Sequence, residues 1–381
     1  MTLTGRLTVD LSALAENWRA LDRASGTAET AAVVKADGYG CGLVEAGRAL
    51  AGAGARTFFV ATVAEGAALR AALGAGPVIH VLAGYPVPEG GTGGEAAQAR
   101  RRPPATHPSG GGPARPAPAD AGEEAALFAE ADLVPVLNAP EQVAAWRAGP
   151  DGPCVLQLDS GMNRLGLEPA ELAALGAPPP GTRLVMSHLA CADEPGHPMN
   201  GAQLRTFRGM TDGLGLPRSL AATGGTLLGP DYAFDLVRPG VGLYGGLPFA
   251  EARQVVSLHL PILQLREVAP GEAVGYGATW RAARPSRIAT LSGGYADGLH
   301  RLLSNRAQGF VEGVACPFAG RVSMDLIGLD VTDAPAARAG GWVEILGPHQ
   351  GVDTLAEAAE TIGYEVLTSL GARYARTHLS G

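Results

Sequence analysis

The chain has 381 residues, 46% of them hydrophobic, with a formal net charge of −8 and a pI near 5.5. The length suggests two domains and the apolar content sustains large cores, while the acidic balance argues against nucleic acid as the main partner. No run reaches transmembrane length and the N-terminal stretch has no apolar core of signal-peptide length, which argues against a membrane. Cys41, Cys154, Cys191 and Cys316 are far apart and show no paired metal spacing. They read as free thiols of a reducing compartment, so the expectation is a cytoplasmic protein without a metal.

RLTVDL at the start reads as a strand with no barrel helix before it, so it is expected to pair elsewhere. The stretch AVVKADGYGCG (32–42) follows a buried, β-branched run. Lys35, near the end of that strand, is the only lysine of the chain; the other 28 basic side chains are arginines. A buried amine is costly unless it has a task, and arginine cannot replace it where the task is to deprotonate, attack a carbonyl or form an imine.

Strand-like runs then alternate with helical patterns: AAVVKA (31–36), TFFVAT (57–62), PVIHVLA (77–83), LVPVLN (133–138), CVLQLDS (154–160), RLVMSHL (183–189), SLAATG (219–224) and DLVRPG (235–240). Eight such units predict an N-terminal (β/α)₈ barrel over 12–242, the strand count favouring it over the alternative of a doubly wound open sheet. Residues 86–122 interrupt the rhythm with Pro, Gly, Ala and polar residues; they cannot bury a core and are expected to form a mobile loop. From about 243 the pattern becomes strands and turns, VVSLHLPILQLREV, RIATLSG, GFVEGV, DLIGLDVT and WVEILG, with TLAEAAETIG as the last clear helix. A mainly β C-terminal domain, 243–381 with 1–11, is expected.

Barrel enzymes place their chemistry at the C-terminal strand ends. The first strand ends at Lys35, the sixth at His188, the seventh at Thr223, Gly224 and Gly225, and the eighth at Arg238, Pro239 and Gly240. Thr223, Gly224, Gly240 and Val241 supply a hydroxyl and backbone N–H groups where barrels often bind phosphate. A lysine and a phosphate site at one barrel mouth point to an imine-forming phosphorylated cofactor, pyridoxal phosphate.

With these residues in view, AVVKADGYGCG resembles the cofactor-attachment motif of alanine racemases. LDSGMNRLGL (158–167), MSHLACADE (186–194), LVRPGVGLYG (236–245), VGYGATW (274–280), GGYADGLHR (293–301), GRVSMD (320–325) and TIGYEVL (361–367) carry the likeness nearly end to end. The resemblance implies a barrel followed by a β-domain, and a head-to-tail homodimer whose active sites are shared. It implies that alanine is racemised by two bases, supplying D-alanine for peptidoglycan. Lys35 then matches the attachment lysine and one base, and Tyr276 the second base, supplied by the other subunit. Tyr39, Thr223, Gly240, Val241 and Tyr364 match phosphate-binding positions, His188 the residue beneath the cofactor ring, and Arg238 the partner of the pyridine nitrogen. Arg164 and Met324 match residues near the substrate carboxylate. Asp193, Tyr295, Arg301 and Arg321 match the mouth of the substrate channel.

The chain departs from the family pattern at Gln157, where many members carry a carbamylated lysine, and at Ser323 and Leu326. Gln157 offers Arg164 an oxygen but no negative charge, so an anion such as chloride would supply what is missing. A broader-specificity racemase and a non-catalytic pyridoxal-phosphate carrier are the alternatives. Tyr276 and the second domain argue against the carrier, and Arg238 argues against a decarboxylase of the same architecture, which would keep an acid at the pyridine nitrogen.

Overall fold

The computed structural model describes residues 3–87 and 120–380. Two compact units emerge: residues 18–38 with 50–240, and residues 1–17, 39–49 and 241–381.

The first unit is a parallel barrel. Seven strands follow one another in chain order: Ala32–Val33, Thr57–Val60, Val78–Val81, Val134–Leu137, Cys154–Gln157, Thr182–Met186 and Arg218–Ser219. All neighbouring pairs are parallel. The eighth, Leu236–Val237, pairs in parallel with Glu29–Thr30. Its segment also bonds the other edge, since Asp235 N donates to Arg218 O and Arg238 N to Ala221 O. These bonds close the ring. The strands are short apolar runs whose side chains, among them Phe58, Phe59, Ile79, Val136 and Leu156, are buried on both faces of the sheet. Each such side chain contributes about 1.5–3 kcal/mol on burial.

Helices start where the sequence signals them. Val63–Leu73 opens with a capping box, Thr62 accepting from Glu65 N while the Glu65 carboxylate receives the Thr62 N–H. Residues 88–119 of the Pro/Gly-rich segment lie outside the described residues. Its last part differs from the expected loop: the helix Ala121–Glu130 begins there, capped by Asp120, whose carboxylate accepts from Glu123 N.

The second unit is mainly β. Arg6–Asp10 runs antiparallel to the long strand Val256–Val268 and parallel to Ala375–Leu379, which gives the N-terminal strand its partners. Val256–Val268 also pairs with Ser286–Ser292 and Trp342–Leu346, with irregular register at Leu258/His259 and Ile262/Gln264. GFVEGV is a turn rather than one strand: Gln308–Val311 and Val314–Pro317 form a hairpin across Glu312 and Gly313, both at positive φ. The helix Val352–Ala358 starts before TLAEAAETIG (354–363) and covers only its first half, and a further helix follows, Gly363–Ser369.

Candidate active site

Lys35 follows the first barrel strand at a backbone that no glycine count would announce. Ala36, Asp37, Gly38 and Tyr39 all lie at φ between 54 and 61°, a left-handed turn. Such a conformation costs non-glycine residues roughly 1–2 kcal/mol each. Glu65 holds it in place: its carboxylate accepts from Ala36 N at 2.7 Å, Asp37 N at 3.4 Å and Ala61 N at 2.8 Å. The same carboxylate that closes a helix cap therefore fixes the lysine loop. Glu65 was absent from the residues read from the sequence, although T-V-A-E carried the capping signal.

The Lys35 amine is half-buried, and desolvation together with the Arg164 charge lowers its pKa, against a smaller opposing effect of Glu65. His188 senses the same surroundings. Burial first, then Arg238, Arg164 and Lys35, push its imidazole down to about 3. Lys35, Arg164, His188 and Arg238 thus form one cationic neighbourhood in the barrel unit, with His188 neutral within it. Burial alone pushes the Arg238 guanidinium to about 9, so it still carries its proton at neutral pH. Arg238 donates to Ser219 Oγ and, at 2.6 Å, to Ser187 O, and it lies over the Phe59 ring at 6.0 Å. Ser219 Oγ spends its own proton on Leu236 O at 2.5 Å, so its lone pair is what faces Arg238. Among the described residues no carboxylate forms an ion pair with Arg238. At the next strand end Gly240 N donates to the buried Thr223 Oγ1 at 3.0 Å.

The β-rich unit holds the other predicted residues apart from Asp193, which lies in the barrel unit. Tyr39 is buried, stacked on Tyr244 at 4.6 Å and tilted against Tyr364 at 6.2 Å. Burial, then Tyr364, raises its hydroxyl pKa. Val241 is buried in a short 3₁₀ turn. Tyr276 is 72% exposed, on a turn where Gly275, Gly277 and Ala278 have positive φ. A Cβ at Gly277 would stand 3.2 Å from the Arg321 guanidinium, which places that cation against the Tyr276 turn. Tyr295 and Met324 sit on two bonded segments, Tyr295 N to Ser323 O at 3.0 Å and Ala296 N to Met324 O at 3.1 Å. Arg301 and Asp193 have no side-chain hydrogen bond or ion pair to another predicted site residue among the described residues; burial and the adjacent Glu194 raise the Asp193 pKa.

The alanine racemase N-terminal domain model matches residues 9–93 and 115–248, and the alanine racemase C-terminal domain model matches 255–378. The chain belongs to the alanine racemase family. An alanine racemase of a Jannaschia species is 53% identical over 98% of both chains, and one of Cereibacter sphaeroides is 52% identical with the same coverage. The alanine racemase of Bartonella henselae, whose crystal structure holds covalently bound pyridoxal phosphate, is 34% identical, with a TM-score of 0.85 over 99% of this chain and 100% of its own.

The residues present suit the family's cofactor. A lysine amine with a lowered pKa suits covalent attachment to a carbonyl. A buried guanidinium paired only with neutral oxygens suits an acceptor such as a ring nitrogen. At Gly224 a Cβ would meet the Ala192 backbone at 2.9 Å, so the Thr223-Gly224 loop admits no side chain there. The stretch 94–114 is matched by neither domain model.

Proposed function

We infer that the chain interconverts L-alanine and D-alanine with pyridoxal phosphate attached at Lys35. The observation that carries this is the barrel rim: the chain's one lysine, its amine pKa lowered, shares a cationic neighbourhood with Arg238 and a neutral His188. Thr223, Gly240, Val241, Tyr39 and Tyr364 would hold the phosphate, His188 would support the ring, and Arg238 would offer a proton donor to its nitrogen.

When bound, the cofactor supplies an electron sink that makes the Cα proton of alanine acidic. Racemisation then needs one base for each face of Cα. Lys35 Nζ holds or releases a proton on one face, and its lowered pKa moves that exchange toward neutral pH. Tyr276 Oη serves the other face from the partner subunit of a homodimer, and its exposure leaves the hydroxyl free for a second copy. Arg164 and Met324 set the substrate carboxylate, and Asp193, Tyr295, Arg301 and Arg321 line the channel mouth. On this assignment the barrel domain, 12–242, carries the cofactor, and the β-rich domain, 243–381 with 1–11, completes the neighbouring site. The D-alanine formed supplies peptidoglycan synthesis in the cytoplasm; among the described residues no helix is long and apolar enough to cross a membrane.

The test pairs a chiral assay on alanine, serine, lysine and arginine with borohydride reduction of the loaded enzyme. Wild type should racemise alanine and keep the cofactor covalently. Lys35→Ala should lose both, since no second lysine exists. Covalent labelling of that variant would overturn the attachment site, and equal turnover of all four amino acids would point to a broad-specificity racemase.

A further inference from the structure

We propose that Arg373 is a positioning residue for this reaction, holding in one frame the two segments that carry Tyr295 and Met324. The proposal rests on the assignment of those two residues to the substrate side of the site.

The geometry begins at Asp297. It closes the 3₁₀ turn Tyr295–Asp297 and is only 5% exposed. Arg373 Nε and Nη2 donate to its two carboxylate oxygens at 2.7 Å each, and Gly294 N donates to it at 2.9 Å. The third arm of the same guanidinium, Nη1, donates to Asp325 Oδ1 at 2.8 Å. Asp325 directly follows Met324. One planar fork therefore grips the turn of Tyr295 on one side and the neighbour of Met324 on the other. An exposed ion pair of ordinary geometry does little, but here one carboxylate is buried and bidentate, which adds geometric definition. Lysine, a point charge, cannot span both acids in this way.

The backbones of the two segments already touch. Gly293 N donates to Asp325 O at 2.9 Å, and a Cβ at Gly294 would lie 2.3 Å from Ser323 O and 2.4 Å from Met324 O. These bonds set register; the fork sets the tilt of one segment on the other. The turn that Arg373 grips also meets the end of the helix Gly363–Ser369, which bears Tyr364. Gly371 N donates to Asp297 O at 3.1 Å, and His300 Nε2 lies 3.2 Å from Ser369 Oγ. A Cβ at Gly298, at φ +92°, would fall 2.0 Å from Ser369 O. Tyr295 and Met324 are thus carried by segments that meet at one arginine, and the helix of Tyr364 ends against the same Tyr295–Asp297 turn. A misplacement of about 1 Å can cost a hundredfold in rate, so loosening this junction reaches the chemistry without touching it.

The experiment compares wild type, Asp325→Asn, Arg373→Lys and Arg373→Met as loaded enzymes, with kcat and KM for L-alanine, cofactor affinity from the visible spectrum, and Tm. Asp325→Asn removes the charge behind one arm and leaves only a neutral acceptor; the acid is partly exposed, so the variant should fold. It should raise KM about three- to tenfold, with cofactor affinity and Tm close to wild type. Arg373→Lys should lie near it, and Arg373→Met should lose at least about tenfold in kcat/KM and also lower Tm. If Arg373→Met fails to fold, the two milder variants decide. Wild-type KM and kcat in both of them, or a loss confined to Tm or to cofactor release, would overturn the proposal. A wild type that binds no cofactor and racemises nothing would instead overturn the functional assignment beneath it.

Discussion

Arg238 in the barrel and Arg373 in the β-rich unit are held by similar numbers of hydrogen bonds and do opposite work. Arg238 is 4% exposed, and its two acceptors are neutral: a serine hydroxyl and a backbone carbonyl. Arg373 is half-exposed and meets two carboxylates. A buried cation without an anion costs stability, and that cost falls when an acceptor arrives; a cation already neutralised has nothing left to bind. On the proposed assignment the first is a binding group and the second a brace. The barrel concentrates uncompensated positive charge around Lys35, whereas the β-rich unit spends its charges on geometry and leaves its tyrosine exposed.

The comparison breaks most visibly if the β-rich unit contributes chemistry as well as bracing, which Tyr276 tests. Tyr276→Phe should nearly eliminate exchange of the L-alanine α-proton with deuterated solvent, since a positioned base contributes roughly 10²- to 10⁴-fold. Exchange of the D-alanine proton should persist, because Lys35 is intact. Mixing inactive Lys35→Ala and Tyr276→Phe subunits should restore part of the activity through heterodimers with one complete site. Equal loss for both enantiomers would point to a single base, and no recovery despite subunit exchange would place Tyr276 in its own chain's site.

The second test concerns how the barrel treats histidine. His80 stacks on Phe59 at 4.7 Å, its Nδ1 is buried without a hydrogen-bond partner, and burial with the Arg238 charge pushes it to about 3. Its ordinary value is near 6.5, so between about pH 6.5 and 3 the unfolded chain binds a proton that the folded barrel refuses. Stability present at neutral pH is lost as pH falls through that window, by up to about 1.4 kcal/mol per pH unit for this group. His80→Phe keeps an aromatic ring on Phe59 and removes the titration. At pH 5 it should exceed wild type by about 2 kcal/mol relative to their difference at pH 8, measured by denaturant unfolding. Parallel pH profiles for the two proteins would show that His80 charges freely in the fold.

How far these features could be read from residues alone differs between the units. Eight apolar runs at barrel spacing are a repeated signal, and the barrel follows from them; Lys35 stood out because no other lysine competes with it. The left-handed turn did not stand out, because Ala36, Asp37 and Tyr39 lie at φ near 54° in a turn whose Ala36 and Asp37 N–H groups are held by the Glu65 carboxylate, 28 or more residues distant. Helix Gly363–Ser369 escaped because it is seven residues long and starts on glycine. Tyr276 had no local signature either: VGYGATW reads as a turn, and only the resemblance across the chain singled it out. Arg373 was invisible for the same reason as Glu65, since its partners lie 48 and 76 residues away.

The smallest expected effect lies where the barrel's positive charge is least anchored. Gln157 ends the fifth barrel strand and is 7% exposed, while Arg164 stands exposed on the loop that follows. Among the described residues Arg164 has no ion pair, and Gln157 is neutral at every pH, so on the proposed assignment a carboxylate substrate would meet an arginine without a fixed counter-charge. A small anion bound beside Arg164 would orient it, and the same anion in excess would compete with the substrate. Chloride added at low ionic strength should therefore lower the KM for alanine by a few-fold, roughly the worth of one exposed ion pair, and raise it again at high concentration. A salt of a large, weakly coordinating anion at matched ionic strength separates this from screening. Gln157→Glu supplies a fixed charge and should abolish the chloride response. Identical curves in the two salts would mean that the amide oxygen of Gln157 suffices to hold the arginine.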